Sequence, residues 1–131
     1  MKIMTLVDSL TEQKDLQCKH GLCLYIETER HKILFDLGSD ETFLYNAKAC
    51  GIDIKAVDTV IISHGHSDHG GGLGAFQQVN RTAKIYVHPE AFTPHYNKVV
   101  KIPVFCGLDP KYKNNKEIVY TGDRYIIDRN L

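Results

Sequence analysis

Val57-Asp58-Thr59-Val60-Ile61-Ile62-Ser63-His64-Gly65-His66-Ser67-Asp68-His69 decides how this chain is read. Its first half is rich in β-branched residues and nearly continuously apolar toward Ile62, the pattern of a strand buried on both faces. The histidines begin where that strand stops. A loop at the carboxyl end of a strand is where open α/β sheets place their ligands. This one carries four metal-ligating side chains, His64, His66, Asp68 and His69, within six residues. In an extended segment residues two apart face the same side, so His64 and His66 can bind one ion while Asp68 and His69 turn toward a second. Imidazole nitrogen with carboxylate oxygen suits zinc, with iron and manganese as alternatives, and two ions about 3.5–4 Å apart could share a hydroxide nucleophile. Three of the seven histidines fall with an acid in one hexapeptide, which makes a merely solvated loop or an adventitious cluster the weaker reading. Gly65 and Gly70-Gly71-Gly72 fit backbone freed of Cβ restrictions so that the loop winds tightly.

Outward from this loop, strands and helices alternate. Upstream, residues 2–7 and 22–28 read as strands, and the charged turn Glu29-Arg30-His31-Lys32 leads into a third strand that ends at Asp36, forming a hairpin. Residues 8–21 are polar and irregular, a loop that folds over something. Phe43, Leu44, Ala47 and Cys50 recur at helical spacing and stop at Gly51. Downstream, a helix is expected over 73–79 and a strand over 83–87. From Pro89 to Asn115 the periodicity fades into loops with one strand at 99–105, and 117–131 alternates weakly like a hairpin cut short. This alternation predicts an α/β layer structure in a single domain over residues 1–131.

The hexapeptide resembles the H-x-H-x-D-H motif of the metallo-β-lactamase fold superfamily of metal-dependent hydrolases. His20-Gly21-Leu22, Ile33 through Gly38, Gly51-Ile52-Asp53, Gly71-Gly72-Leu73 and Val87-His88-Pro89-Glu90-Ala91-Phe92 resemble one branch of it, the dihydropterin ribofuranosylaminobenzene-phosphate synthase-like proteins. The similarity runs through residues 2 to 92 and is looser beyond. The resemblance implies the N-terminal half of an αββα sandwich, a mixed sheet with flanking helices. It implies two zinc ions, the first held by His64 and His66 and the second by Asp68 and His69, with Asp68 also taking a proton during turnover. Asp36 matches an acid that supports the metal loop from behind, although here it stands in Asp36-Leu37-Gly38 where Asp-Thr-Gly is more usual. That change removes a hydroxyl. His20 and His88 match positions of the branch that border the site, and each reads equally well as a plain loop histidine. His31 and His95 are assigned to solvent. The family completes its site with later ligands, a third histidine, a bridging aspartate and a last histidine, and no histidine follows His95. The expectation is therefore an N-terminal portion of a longer protein, or two copies pairing as a homodimer that covers the exposed half-domain face.

Composition narrows the chemistry. Sixteen basic residues balance sixteen acidic ones without a basic stripe, which argues against nucleic acid and for a small-molecule substrate. No apolar run approaches the roughly 20 residues of a membrane span, and the N-terminus lacks a secretory core, so the expected location is the cytoplasm. Cys18, Cys23, Cys50 and Cys106 form no C-x-x-C pair and are read as free thiols, with a Cys18/Cys23/His20 zinc site as a remote alternative. The function expected is hydrolysis of a small phosphorylated or ester substrate by a metal-bound hydroxide. Two alternatives stand beside it: a catalytically incomplete metal-binding or assembly module, and a glyoxalase-like thioesterase or RNA-processing nuclease.

Overall fold

The computed structural model describes residues 1–99, 101–129 and 131. Val100 and Asn130, inside the strand expected over 99–105 and the hairpin expected over 117–131, lie outside the described residues. Strands β1 (Lys2–Val7), β2 (Cys23–Glu27) and β3 (Lys32–Phe35) form an antiparallel meander. Helix α1 (Thr42–Ala49) then leads to β4 (Thr59–Ile62), which pairs parallel to β3 with Leu34 opposite Val60 and Phe35 opposite Ile61. The short α2 (Ser67–Gly70) and α3 (Leu73–Val79) follow, and β5 (Lys84–Val87) pairs parallel to β4. A separate hairpin joins β6 (Tyr96–Val99) to β7 (Ile102–Phe105), and β8 (Ile118–Tyr120) closes the sheet beside β5. The sheet order is β1-β2-β3-β4-β5-β8, mixed as expected.

Period-two alternation sorts the sheet into two faces. Leu6, Cys23, Tyr25, Leu34, Val60, Ile62, Ile85 and Val87 point to one side, where they pack with Phe43 and Ala47 of α1 and Leu73 and Phe76 of α3. On the other side Leu24, Ile26, Phe35, Ile61 and Tyr86 are only half-buried, and Ile3 is exposed. The chain after β8 runs across part of that face, with the Tyr125 ring 5.5 Å from that of Tyr86. Asn80 serves the core differently. Buried at the end of α3, it donates to the carbonyls of Ile54 and Val57 and accepts from the Ala83 amide, satisfying backbone that would otherwise be stranded.

Three expectations need correction. The strand expected over 99–105 is not a lone one: its described part Ile102–Phe105 is the second arm of the β6–β7 hairpin, and Tyr96–Val99 supplies its partner. The C-terminal hairpin is absent among the described residues: the weak alternation of 117–131 reflects one edge strand, β8, parallel to β5. His31 is not in solvent. Its ring lies between two carboxylates, Nδ1 2.8 Å from Asp58 and Nε2 3.0 Å from Asp128, so the β2–β3 turn is tied to the chain end. Those carboxylates, Asp58 first and then Asp128, raise the His31 pKa above its ordinary 6.5. A raised folded-state value means the contribution is complete below pH 6.5 and is lost as pH climbs through the raised value. His31→Gln should therefore lower the denaturation midpoint in mildly acidic buffer, with the difference closing in alkaline buffer. A difference independent of pH would show that packing, not the charge, holds the contact.

No helix among the described residues is long and apolar enough to cross a membrane.

Candidate metal centre

The parallel pairing of β3 with β4 brings the carboxyl ends of both strands together, and Asp36 stands at the first of them. Its side chain is fully buried and its φ is +58°, the left-handed conformation that aspartate tolerates better than most residues. An isolated buried carboxylate would be very costly, and this one is satisfied three times. Oδ1 accepts from the Ser63 amide at 2.8 Å, while Oδ2 accepts from the Ser63 hydroxyl and from His69 Nδ1, each at 2.7 Å. Leu37 in place of the more usual threonine packs wholly into the core and takes none of these bonds away.

This network fixes two tautomers. Because His69 Nδ1–H donates to Asp36, the lone pair of His69 is on Nε2. Because the Ser63 hydroxyl proton is committed to Asp36, its oxygen accepts from His64 Nδ1 at 2.9 Å, which puts the His64 lone pair on Nε2 as well. Sequence reasoning missed Ser63. Its position immediately before the first histidine, at a strand end, is the one signal that could have found it.

Beyond this support the hexapeptide side chains cluster. His64 Nε2 faces His66 Nδ1 at 3.2 Å, and the His64 ring lies 4.2 Å from that of His69. Asp68 Oδ2 is 3.5 Å from His69 Nε2 and 3.3 Å from His20 Nε2. Burial first, then the neighbouring His69 and His66, lowers the His64 pKa, which favours the neutral, ligating form. Two nitrogens bound to one tetrahedral zinc at about 2.0–2.1 Å would stand about 3.3 Å apart, so the 3.2 Å between His64 and His66 suits a shared ion as well as a shared proton. The donor chemistry fits zinc. Among the described residues, however, no group of three or more His, Cys, Asp or Glu side chains is arranged to hold an ion as it stands.

The remaining histidines divide. His20 is highly exposed yet reaches Asp68, so the polar loop before it leads to the site. His88 accepts from the Glu90 amide and borders a cavity of about 410 Å³ also lined by Phe35, Ser63, Tyr86 and Tyr125. His95 was assigned to solvent, and the structure places it instead 5.2 Å from the His66 ring. Cys23 is fully buried, and burial, then the Asp36 charge, pushes its thiol pKa well up, so it stays protonated, and no Cys18/Cys23/His20 cluster exists among the described residues.

The glycines act through close approach rather than unusual torsions. Gly71 and Gly72 have helical φ of −62° and −71°. A Cβ on Gly65 would sit inside contact distance of the Ala91 carbonyl oxygen and 2.7 Å from His95 Cε1. Gly65→Ala should push the metal loop away from the 88–95 segment and cost about 1–3 kcal/mol, measured by urea denaturation. A change within error would mean that segment yields freely.

A mixed sheet with helices on one face and an Asp-supported histidine loop at the strand ends defines a metallo-β-lactamase-type scaffold, and the metallo-beta-lactamase superfamily model matches residues 16–125. The chain belongs to that superfamily. It is 32% identical over 118 residues to the 7,8-dihydropterin-6-methyl-4-(beta-D-ribofuranosyl)-aminobenzene-5'-phosphate synthase of Methanocaldococcus jannaschii, covering 86% of this chain and 40% of that protein. Among solved structures it resembles Tm1679, a metal-dependent hydrolase of the beta-lactamase superfamily, with TM-score 0.74 and 27% identity over 98% of this chain and 45% of the other. MEM-A1, a subclass B3 metallo-beta-lactamase, shares the fold at TM-score 0.60 and 18% identity, over 83% and 43% of the two chains. The chain thus spans less than half the length of these relatives. Members of the superfamily commonly bind zinc.

Proposed function

We propose that this chain is a metal-dependent hydrolase of a small phosphorylated or ester substrate, with His64 and His66 holding one zinc ion and Asp68 and His69 a second. The observation that supports it most is the Asp36 network, which engages His69 Nδ1 directly and His64 Nδ1 through Ser63 and so leaves the Nε2 of both rings to face the other side chains of the hexapeptide. Bound zinc supplies Lewis acidity for hydrolysis near neutral pH. Asp68, partly exposed and beside both His20 and His69, is placed to hold a proton at Oδ2. Asp36 and Ser63 orient. The half-apolar cavity beside Ser63 offers room for the organic part of a substrate, and the archaeal relative is named for an aminobenzene 5'-phosphate. The half-buried outer face of the sheet is the surface we assign to a second copy of this chain, checked by sedimentation.

A second reading is favoured by the lack of any three-donor group among the described residues: an incomplete module that binds metal without turnover. Metal analysis of the purified chain after dialysis against zinc, together with a panel of phosphodiester, phosphomonoester and thioester substrates, separates the two. About two equivalents with turnover supports the hydrolase. Bound metal without turnover supports the module, and no retained metal overturns both.

A further inference from the structure

A cavity of about 530 Å³, larger than the one beside Ser63, opens between α3 and the segment that leads into β8. None of its lining residues belongs to the hexapeptide or to the Asp36 network. Its walls are held by hydrogen bonds to main chain. The Ile85 amide donates to the Glu117 carbonyl at 2.9 Å, and the Ile118 amide donates to the Asn115 carbonyl at 3.1 Å. Tyr120 Oη donates to the Lys113 carbonyl at 2.6 Å, and Tyr112 Oη fills the notch at Gly74, where a Cβ would collide with it. A cavity built this way is organised before any ligand arrives, which lowers the entropic cost of binding.

The groups lining it are of both hydrogen-bonding kinds. Glu117 is only 9% exposed, and among the described residues neither of its carboxylate oxygens accepts a hydrogen bond. The cation paired with it, Lys116 Nζ, stands 3.7 Å away and is itself highly exposed. A carboxylate taken this far from water without donors is costly, and native structures keep one mainly where a ligand or a function accounts for it. Donors come from the end of α3. Asn115 Nδ2 donates to Gln77 Oε1 at 2.7 Å, which leaves the Gln77 side-chain NH2 and Asn115 Oδ1 without a partner among the described residues. Arg81 spends Nε on the Gln77 carbonyl at 3.3 Å, and its two terminal nitrogens have no partner among the described residues. Lys111 also lines the cavity, but its Nζ is 2.8 Å from Asp109 Oδ2.

Charge decides what fits. A phosphate would share the cavity with the Glu117 carboxylate, and a cation would share it with Arg81. A hydroxyl suits both, because it donates one hydrogen bond and accepts two. We propose that this cavity binds a neutral saccharide, whose hydroxyls donate to Glu117 and to Asn115 Oδ1 and accept from Gln77 and Arg81. The volume lies within the usual range of small-molecule sites. The site does not rest on the metal-centre reading and stands or falls without it.

The test is proton–nitrogen NMR of the whole labelled chain against glucose, galactose, mannose, maltose and cellobiose, with inorganic phosphate as the anion control. At least one sugar should shift the side-chain amide signals of Gln77 and Asn115 saturably, with a dissociation constant on the order of 1 mM, and equally with and without zinc. Glu117→Gln and Arg81→Ala should each weaken that binding about tenfold, since hydrogen bonds to charged groups are the stronger kind. Stability then separates the two roles open to Glu117. Glu117→Gln should leave the denaturation midpoint unchanged or raise it, because the buried charge goes while the shape stays, whereas a residue kept for structure would lower it. No saturable shift from any of the five sugars up to tens of millimolar overturns the inference, as do shifts confined to residues outside the cavity, or affinities that neither substitution moves. Saturation by phosphate with no response to sugar overturns it too, and marks an anion patch around Arg81 instead.

Discussion

Asp36→Ala is expected to be among the most damaging single substitutions in the chain, costing about 3–5 kcal/mol of stability. The change strands the Ser63 amide, the Ser63 hydroxyl and His69 Nδ1–H, all of which end on this one buried carboxylate. Alanine at a φ of +58° adds about 1–2 kcal/mol of backbone strain that aspartate tolerates better. Metal affinity should fall about 10–100-fold, because His64 and His69 lose the partners that fix their tautomers. Asp36→Asn separates the two causes. Asparagine accepts the left-handed conformation, so the strain disappears, but its amide cannot accept from both Ser63 and His69 through the oxygen it loses. Chemical denaturation of the two variants side by side gives the comparison. An alanine variant within about 1 kcal/mol of the parent would show that the loop is held by something other than Asp36.

His66→Ala is expected to reduce retained zinc from about two equivalents to about one. Its Nδ1 faces His64 Nε2 at 3.2 Å, a separation suited to sharing an ion, and the substitution removes that donor. The effect on stability should be small, since His66 is only partly buried and none of the bonds to Asp36 passes through it. The combination of large metal loss and little destabilisation is the informative outcome. Unchanged stoichiometry by mass spectrometry would reject the assignment of His64 and His66 to one ion.

Much of the fold was legible because β4 announces itself: a β-branched run that ends in histidines admits few placements other than a buried strand feeding a functional loop. The helix Thr42–Ala49 was equally readable, its apolar spacing ended by Gly51. The hexapeptide residues do gather at one place. What stayed hidden depends on partners far apart in sequence. Ser63 gains its role only when parallel pairing sets it against Asp36, 27 residues away. His31 looked solvated because neither Asp58 nor Asp128 is near it along the chain. His95 sits in a polar, proline-flanked stretch whose local pattern says loop, and only the return of the hairpin to the histidine loop sets its ring against His66 and buries its Nδ1. The register of Tyr96–Val99 was missed for a related reason: a two-stranded ribbon with every strand position exposed carries no alternation to read.

The four donors His64, His66, Asp68 and His69 lie within six consecutive residues, whereas the carboxylate that orients His69 directly and His64 through Ser63 stands at the end of another strand. A denatured chain loses the orientation but keeps the chelating peptide. Metal will therefore associate with denatured as well as native molecules, and the linkage gain, which grows as RT ln(1 + [L]/Kd) only when the denatured form is inert, is cut by that second equilibrium. Zinc should raise the thermal midpoint less than its native affinity implies. During refolding, an ion captured early by the hexapeptide binds before Asp36 and Ser63 are in place to fix which ring nitrogen faces it, so a chelator in the refolding buffer should hasten recovery rather than hinder it.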